Sequence, residues 1–175
     1  MKDTARIITT LRCGRGCAYC PNNQYAQHAR GLIDLRQLLD YNSVCLTGGE
    51  PLLEPVLFQA LVRDLRNIKD FKVYLYASNF ITLDDLLGAI EETDGITWTM
   101  HKGANAFDSI RLGIVQHNLD PKKHNRLVLH TDAHADWQRV VEFHKWERVT
   151  VLYMTSSTCQ LPSNEDLYIL KEAYD

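Results

Sequence analysis

Two stretches of the chain decide its fold: residues 5–20 have the sequence ARIITTLRCGRGCAYC, and residues 43–51 have the sequence SVCLTGGEP. In each stretch a short run rich in β-branched and aliphatic residues predicts a strand, and a loop rich in glycine and polar residues follows it. Strand-like runs and helix-like segments alternate in the same way along the rest of the chain. The pattern therefore predicts an α/β protein with parallel strands.

Six strands and six helices are predicted from hydrophobic periodicity and from helix start signals such as Pro55. The strands are Ala5 to Leu11, Ser43 to Thr47, Lys72 to Ala77, Ile96 to Met100, Arg126 to His130 and Val149 to Met154. The helices are Leu32 to Tyr41, Pro55 to Ile68, Leu83 to Glu92, Ala104 to His117, Ala135 to Trp146 and Asn164 to Tyr174.

The length of the chain limits the architecture. A complete eight-unit barrel needs about 250 residues, or roughly 31 per unit, whereas this chain has 175. The expectation is a partial (βα)6 barrel of parallel strands with an outer layer of helices, built as one domain over residues 1–175. A flat, doubly wound sheet of flavodoxin type is the alternative. In both architectures ligands bind at the carboxyl ends of the strands.

Composition excludes several classes of protein. The chain is 45% hydrophobic and 23% charged with a net charge of −3, which is typical of a globular domain and gives no electrostatic basis for non-specific nucleic-acid binding. No apolar run approaches the roughly 18 residues of a membrane span. Residues 1–12 lack the apolar core of a secretory signal, so we expect a cytoplasmic protein with no membrane partner.

The cysteines indicate a metal site. Cys13, Cys17 and Cys20 form the pattern C-x3-C-x2-C, whereas Cys45 and Cys159 are isolated, and this odd, clustered count does not suit a disulfide framework. Three thiolates on one loop can hold three irons of a 4Fe-4S cluster and leave the fourth iron open. The alternative is a zinc site with Cys45, Cys159 or a histidine such as His28 as the fourth ligand.

A second motif lies at the end of the second predicted strand. Thr47 is followed by Gly48, Gly49 and Glu50, which places two glycines and a carboxylate beside the cysteines. Glycines allow a ligand to approach the backbone closely, and a carboxylate can receive an ammonium group. Neither feature is needed to bind zinc.

Together the two motifs resemble the radical S-adenosylmethionine (radical SAM) superfamily. The resemblance rests on the three cysteines, on Tyr19 immediately before Cys20, and on residues 48–51 at the next strand end. It implies an oxygen-sensitive 4Fe-4S cluster on the cysteines and S-adenosylmethionine as second cofactor. In that family the reduced cluster cleaves S-adenosylmethionine to give a 5′-deoxyadenosyl radical, which abstracts hydrogen from the substrate.

The resemblance also implies roles for individual residues and for partners. Glu50 and the Gly48–Gly49 backbone, next to Thr47, would hold the methionine ammonium group. Tyr19 would lie near the adenine, and Asn79 is a further cofactor contact. An electron donor such as flavodoxin or ferredoxin would be needed. The chain departs from the family after the fifth strand, where residues 130–134 do not form the glycine-rich segment that contacts adenine.

Substrate residues are expected at the remaining strand ends. His101 and Lys102 follow the fourth strand, and His130 and Asp132 mark the end of the fifth. These polar groups are candidates for substrate contact or proton transfer. A small-molecule or nucleotide substrate is the primary expectation, and a protein substrate, as for activases of glycyl radical enzymes, is the alternative. A non-catalytic iron–sulfur or zinc-binding module is the second alternative.

Overall fold

Eight parallel strands form a single sheet in the computed structural model, which describes residues 3–133, 137–155 and 160–171. The strands are β1 (Thr4–Ile8), β2 (Arg30–Leu32), β3 (Ser43–Thr47), β4 (Lys72–Ala77), β5 (Gly95–Met100), β6 (Arg126–His130), β7 (Arg148–Leu152) and β8 (Glu165–Leu170). Their spatial order is β2-β8-β1-β3-β4-β5-β6-β7, so β2 and β7 are the edges and the described sheet is open. The predicted α/β class is confirmed.

Helices connect most of the strands. They are α1 (Pro21–Tyr25), α2 (Pro55–Ile68), α3 (Leu83–Glu92), α4 (Ala106–Asn118) and α5 (Trp137–Val140). Single 3-10 turns occupy Ala26–His28, Leu35–Leu38, Pro51–Leu53 and Phe143–Lys145. The side chains of Thr82 and Asn105 cap α3 and α4 in capping boxes, which satisfies backbone N–H groups that the first turn leaves without helical partners. None of the described helices combines the length and hydrophobicity needed to cross a lipid bilayer.

The two faces of the sheet differ in what they contact. Successive side chains of a strand point to opposite faces, so in β1 Ala5 and Ile7 lie on one face and Arg6 and Ile8 on the other. The first face packs against the helices, and its core contains Leu46, Leu75, Trp98, Phe58, Leu65, Leu86 and Leu112. The second face lines a cavity with Arg6, Tyr76, Thr99, Val128 and Leu152.

All six predicted strands are present, but the predicted helix Asn164 to Tyr174 is wrong over its described part. Residues Glu165–Leu170 form β8, which pairs with β1 and β2. Leu167 lines the cavity, whereas Tyr168 and Leu170 belong to the core on the helical face. A segment with apolar groups on both faces suits a strand inside a sheet, and the long-range pairing overrides its helix-like pattern.

Two other predicted helices are shorter than expected. In the segment Leu32 to Tyr41, Leu32 belongs to the edge strand β2. The helical part of this segment is the 3-10 turn Leu35–Leu38, which the side chain of Asp34 caps. Within Ala135 to Trp146, the described residues form α5 and a 3-10 turn. The helices Pro55 to Ile68 and Leu83 to Glu92 are confirmed with the predicted bounds.

Candidate functional site

A cavity of about 740 Å³ lies at the carboxyl ends of the strands and extends over the second face of the sheet. This volume is typical of sites for small ligands. Both predicted motifs contribute to its wall, which includes Cys13, Cys17, Tyr19, Cys20, Thr47, Gly48, Gly49 and Glu50. Residues separated by some 30 positions in sequence therefore meet at one cavity, as the carboxyl ends of parallel strands require.

The three clustered cysteines have free thiols. Burial raises the pKa of the Cys17 thiol; a hydrogen bond with Tyr19 opposes this effect, and electrostatic interaction with Cys13 and Cys20 adds to it. In the described part of the chain, no three His, Cys, Asp or Glu side chains form a group that could hold a metal ion as they stand. Cys45 is buried within β3, as expected, and burial raises its pKa to about 12. Cys159 lies outside the described residues.

The two glycines hold the base of the cysteine loop (residues 12–20) against β3. Backbone N–H groups of Gly49 and Glu50 donate to the carbonyl oxygens of Thr10 and Arg12, at 2.7 and 2.8 Å. A Cβ atom on Gly49 would overlap the Arg12 carbonyl, and Gly48 has a φ of +142°. The glycines are thus required by contact between two backbone segments, a reason distinct from the predicted approach of a ligand.

Arg15 ties the cysteine loop to two further elements. Its Nη2 atom lies 2.5 Å from Oδ1 of Asp108 in the first turn of α4, and Asp108 is 6% exposed. Its guanidinium also donates to Oγ and the carbonyl oxygen of Ser78 after β4, at 3.3 and 3.4 Å. The loop that carries the cysteines is therefore fixed by an ion pair and by hydrogen bonds to the rim of the sheet.

Glu50 is 2% exposed although it carries a carboxyl group. Its Oε2 accepts hydrogen bonds from the backbone N–H and the hydroxyl of Ser78, at 2.8 and 2.9 Å. Its Oε1 has no hydrogen bond of ordinary geometry within the described residues, although the nearby backbone N–H groups of Leu52 and Asn79 favour the charged form. Burial raises the pKa of Glu50 to about 7. A buried oxygen without a partner is suited to receive a donor from a ligand.

Tyr19 docks the end of the cysteine loop on β5 and β6. Its hydroxyl accepts from the backbone N–H of Lys102 at 3.0 Å and lies 3.3 Å from Nδ1 of His101. Its ring stacks near those of His101 and His130, with centroids 6.2 and 5.8 Å apart. Nδ1 of His101 is also 3.7 Å from Sγ of Cys17. Burial, followed by the charge of Arg15, lowers the pKa of His101 to about 4, so its imidazole is neutral at physiological pH.

The four predicted substrate residues lie in three different environments. His101 lines the cavity. His130 is fully buried behind Tyr19 and Tyr153, and its Nδ1 accepts from the backbone N–H of Asp132. Lys102 and Asp132 form an ion pair at 3.8 Å, with both side chains more than half exposed.

Among the described residues, His101 is therefore the only predicted substrate residue that lines the cavity. The predicted cofactor contact Asn79 is half-buried outside the wall, and its Oδ1 accepts from the backbone N–H of Phe80. His28, the alternative zinc ligand, is exposed.

Sequence reasoning missed the polar residues that support the motifs from a distance. Asp108 and Ser78 hold Arg15 and Glu50, and Arg6 and Tyr76 line the cavity. The one available signal was Arg6, a charged residue inside an otherwise apolar predicted strand. The partners of Arg15 depend on the packing of α4 and have no local signature.

Comparisons with known proteins leave the family open, because no family model, curated protein or solved structure matches this chain. The fold and the cavity therefore define the protein only as an α/β protein with one parallel sheet and a site at its strand ends.

Proposed function

We propose that this protein is a radical SAM enzyme that acts on a small-molecule substrate, a class that includes nucleotides. The observation that carries the proposal is the meeting of three free thiols and the buried carboxyl group of Glu50 at one cavity. The donor set fits the two cofactors implied by the motifs. Three thiols suit a 4Fe-4S cluster with one open iron. Oε1 of Glu50, which has no hydrogen-bond partner among the described residues, suits an ammonium group.

Each residue then has a defined task. Cys13, Cys17 and Cys20 would hold the cluster, which when bound supplies the electron that cleaves S-adenosylmethionine. Glu50 would accept the methionine ammonium group through Oε1, while Ser78 fixes its other oxygen. Tyr19 lines the cavity beside His101 and would contact the nucleoside part of the cofactor.

The topology supports a partial barrel as the scaffold. From β1 through β3 to β7, neighbouring strands follow one another in sequence order, and α2, α3 and α4 share one core on the same face of the sheet. On the other side of β1 the order continues with β8 and β2, and the turn Ala26–His28 contributes Ala26 to a small apolar cluster with Ile8 and Ile169 on the second face. The second face is left to form the cavity, where the substrate would lie within reach of the cofactor. An electron donor such as flavodoxin or ferredoxin would reduce the cluster.

The cofactor assignment is tested by anaerobic reconstitution with iron and sulfide, followed by metal analysis and electron paramagnetic resonance. We expect about four irons per chain and a spectrum of the reduced protein that changes when S-adenosylmethionine is added. The Cys17→Ala variant should lose the cluster, and the Cys45→Ala variant should keep it because Cys45 is buried in β3. A full iron content in Cys17→Ala, or zinc alone at the native site, would contradict the assignment.

A further inference from the structure

We propose that Arg6 and Tyr76 form a subsite for an oxyanion of the substrate, either a carboxylate or a phosphate group, within the same cavity. This subsite would define the substrate class of the proposed enzyme. The inference rests on the proposed function in one respect, which is that the cavity is the substrate site. Arg6 precedes Ile8 by two residues on the same face of β1, and both line the cavity. The subsite therefore lies on the sheet, further from the carboxyl end of β1 than the cysteine loop.

Arg6 is an unusual residue for its position. It lies between Ala5 and Ile7, which are both fully buried, and its own side chain is only 13% exposed. Charged side chains are rarely placed in such surroundings without a partner, because desolvation of the charge is costly. Its presence in a cavity wall therefore calls for a specific interaction.

The described contacts of Arg6 use only part of its hydrogen-bonding capacity. Nε donates to Oε2 of Glu165 in β8 at 2.5 Å, and the guanidinium carbon lies 4.4 Å from the ring centroid of Tyr76. Arginine commonly pairs with carboxylates through two parallel hydrogen bonds. Here, among the described residues, the two Nη groups of Arg6 have no hydrogen-bond acceptor. They can donate to both oxygens of a bound anion.

The surroundings fix Arg6, whose charge is paired with Glu165 through Nε, and leave its two Nη groups for a ligand. The Tyr76 ring holds the guanidinium by a cation–π contact. Cys45 is in register with Arg6 on β3, and its thiol stays neutral because burial raises its pKa to about 12. A neutral thiol does not compete with a ligand for the guanidinium. Glu165 restrains one edge of the planar group and leaves the opposite edge for a ligand.

The rest of the nearby wall indicates the body of the ligand. Ile8, Val128, Leu152 and Leu167 are apolar, and Thr99 adds one hydroxyl group. An apolar wall with one cationic group suits a small organic acid or a phosphorylated compound with an apolar or aromatic part.

The test is a screen with matched fragment pairs, aromatic carboxylic acids and their primary amides, followed by ligand-observed NMR on the anaerobically purified protein. A double variant, Arg6→Gln with Glu165→Gln, removes both charges of this ion pair together. Arg126→Gln is the matched control, because Arg126 lies on the same face of the sheet but outside the cavity wall and half-exposed. Tyr76→Leu is a second variant that keeps the ion pair and removes the ring.

We expect acids that bind the wild type about tenfold to hundredfold more tightly than their amides, the effect of losing a charge-assisted hydrogen bond. This preference should disappear in the double variant, weaken in Tyr76→Leu and persist in Arg126→Gln. Displacement of the acids by inorganic phosphate would extend the subsite to phosphorylated substrates, and no displacement would restrict it to carboxylates. Equal binding of acids and amides, or an acid preference that survives in both cavity variants, would overturn the proposal. The readout involves no radical chemistry, so its outcome is independent of whether S-adenosylmethionine is cleaved.

Discussion

Arg15 in the cysteine loop and Asp108 in the first turn of α4 form an ion pair of 2.5 Å, although they are 93 residues apart in sequence. Asp108 also accepts from the backbone N–H of Asn105, so the pair joins the loop to the capping box of α4. The arginine lowers the pKa of Asp108 against the opposing effect of burial. This relationship fixes the loop that carries the three cysteines.

The first prediction concerns this pair. In a double-mutant cycle of Arg15→Gln and Asp108→Asn, the free energies of unfolding should show a favourable coupling of about 0.5–3 kcal/mol, since the two side chains contact each other directly. Urea unfolding measures the coupling. Arg111→Gln is the control, because Arg111 lies 3.9 Å from Asp108 and is more exposed. Additive effects of Arg15→Gln and Asp108→Asn would show that the pair does not hold the loop.

The second prediction concerns Gly49. A Cβ atom there would overlap the backbone of Arg12, so Gly49→Ala should destabilise the protein by at least about 1–3 kcal/mol and slow cluster assembly. Gly113→Ala in α4 is the matched control, because a Cβ there meets nothing within 4 Å and alanine favours a helix by about 1 kcal/mol. Thermal unfolding compares the two. Equal stability of both variants would contradict the close backbone contact.

The fold could be predicted from the sequence as far as local patterns carry information. The strands Ser43–Thr47 and Lys72–Ala77 and the helix Pro55–Ile68 have clear periodicity and clear ends, and their predicted bounds are confirmed. The segment Glu165–Leu170 lies within the predicted helix Asn164 to Tyr174 but forms a strand. Its place between β1 and β2 is determined by long-range pairing.

The motifs of the site could be predicted from the sequence, but the residues that hold these motifs in place could not. The cysteines and Glu50 stand at strand ends in recognisable patterns, and the structure brings them to one cavity. The burial of His130 depends on where Tyr19 and Tyr153 pack. The partners of Arg15 likewise depend on the docking of α4, and neither arrangement has a signature in the neighbouring sequence.

The third prediction concerns the charge of Glu50. Its pKa of about 7 lies above its ordinary value of 4.5, so the folded protein holds a proton that the unfolded chain releases. This proton contributes to the free energy of unfolding below pH 4.5, and the contribution is lost as the pH rises through 7. Without S-adenosylmethionine, the wild type should therefore lose about 1–3 kcal/mol relative to Glu50→Gln across this range. Urea unfolding at several pH values from 4.5 to above 7 measures the loss, and parallel pH profiles of the two proteins would contradict the burial of an ionisable group.

Cofactor binding should show the opposite dependence on pH. Because an ammonium group requires the ionised carboxylate, affinity for S-adenosylmethionine should fall as the pH drops below about 7. At higher pH, Glu50→Gln should bind the cofactor about tenfold to hundredfold more weakly than the wild type. Glu147→Gln, at an exposed carboxylate paired with His124, should bind normally. Unchanged affinity in Glu50→Gln would remove Glu50 from the cofactor site.

The fourth prediction separates His101 from Asp132. His101 lines the cavity beside Cys17, whereas Asp132 is exposed and paired with Lys102. Once a substrate is found, His101→Ala should reduce its turnover by about 10²-fold or more, the usual scale for a positioned acid or base. Slow cleavage of S-adenosylmethionine without substrate should largely persist. Asp132→Asn should change both rates less than about threefold, and an equal loss in the two variants would contradict the assignment.

The formation of 5′-deoxyadenosine tests whether the protein is a radical SAM enzyme. The anaerobically reconstituted protein is mixed with dithionite and S-adenosylmethionine, and the products are quantified by liquid chromatography with mass spectrometry. We expect 5′-deoxyadenosine and methionine in equal amounts from the wild type and from Cys45→Ala, and neither product from Cys17→Ala. A wild type that holds its full iron content yet forms no 5′-deoxyadenosine would contradict this expectation.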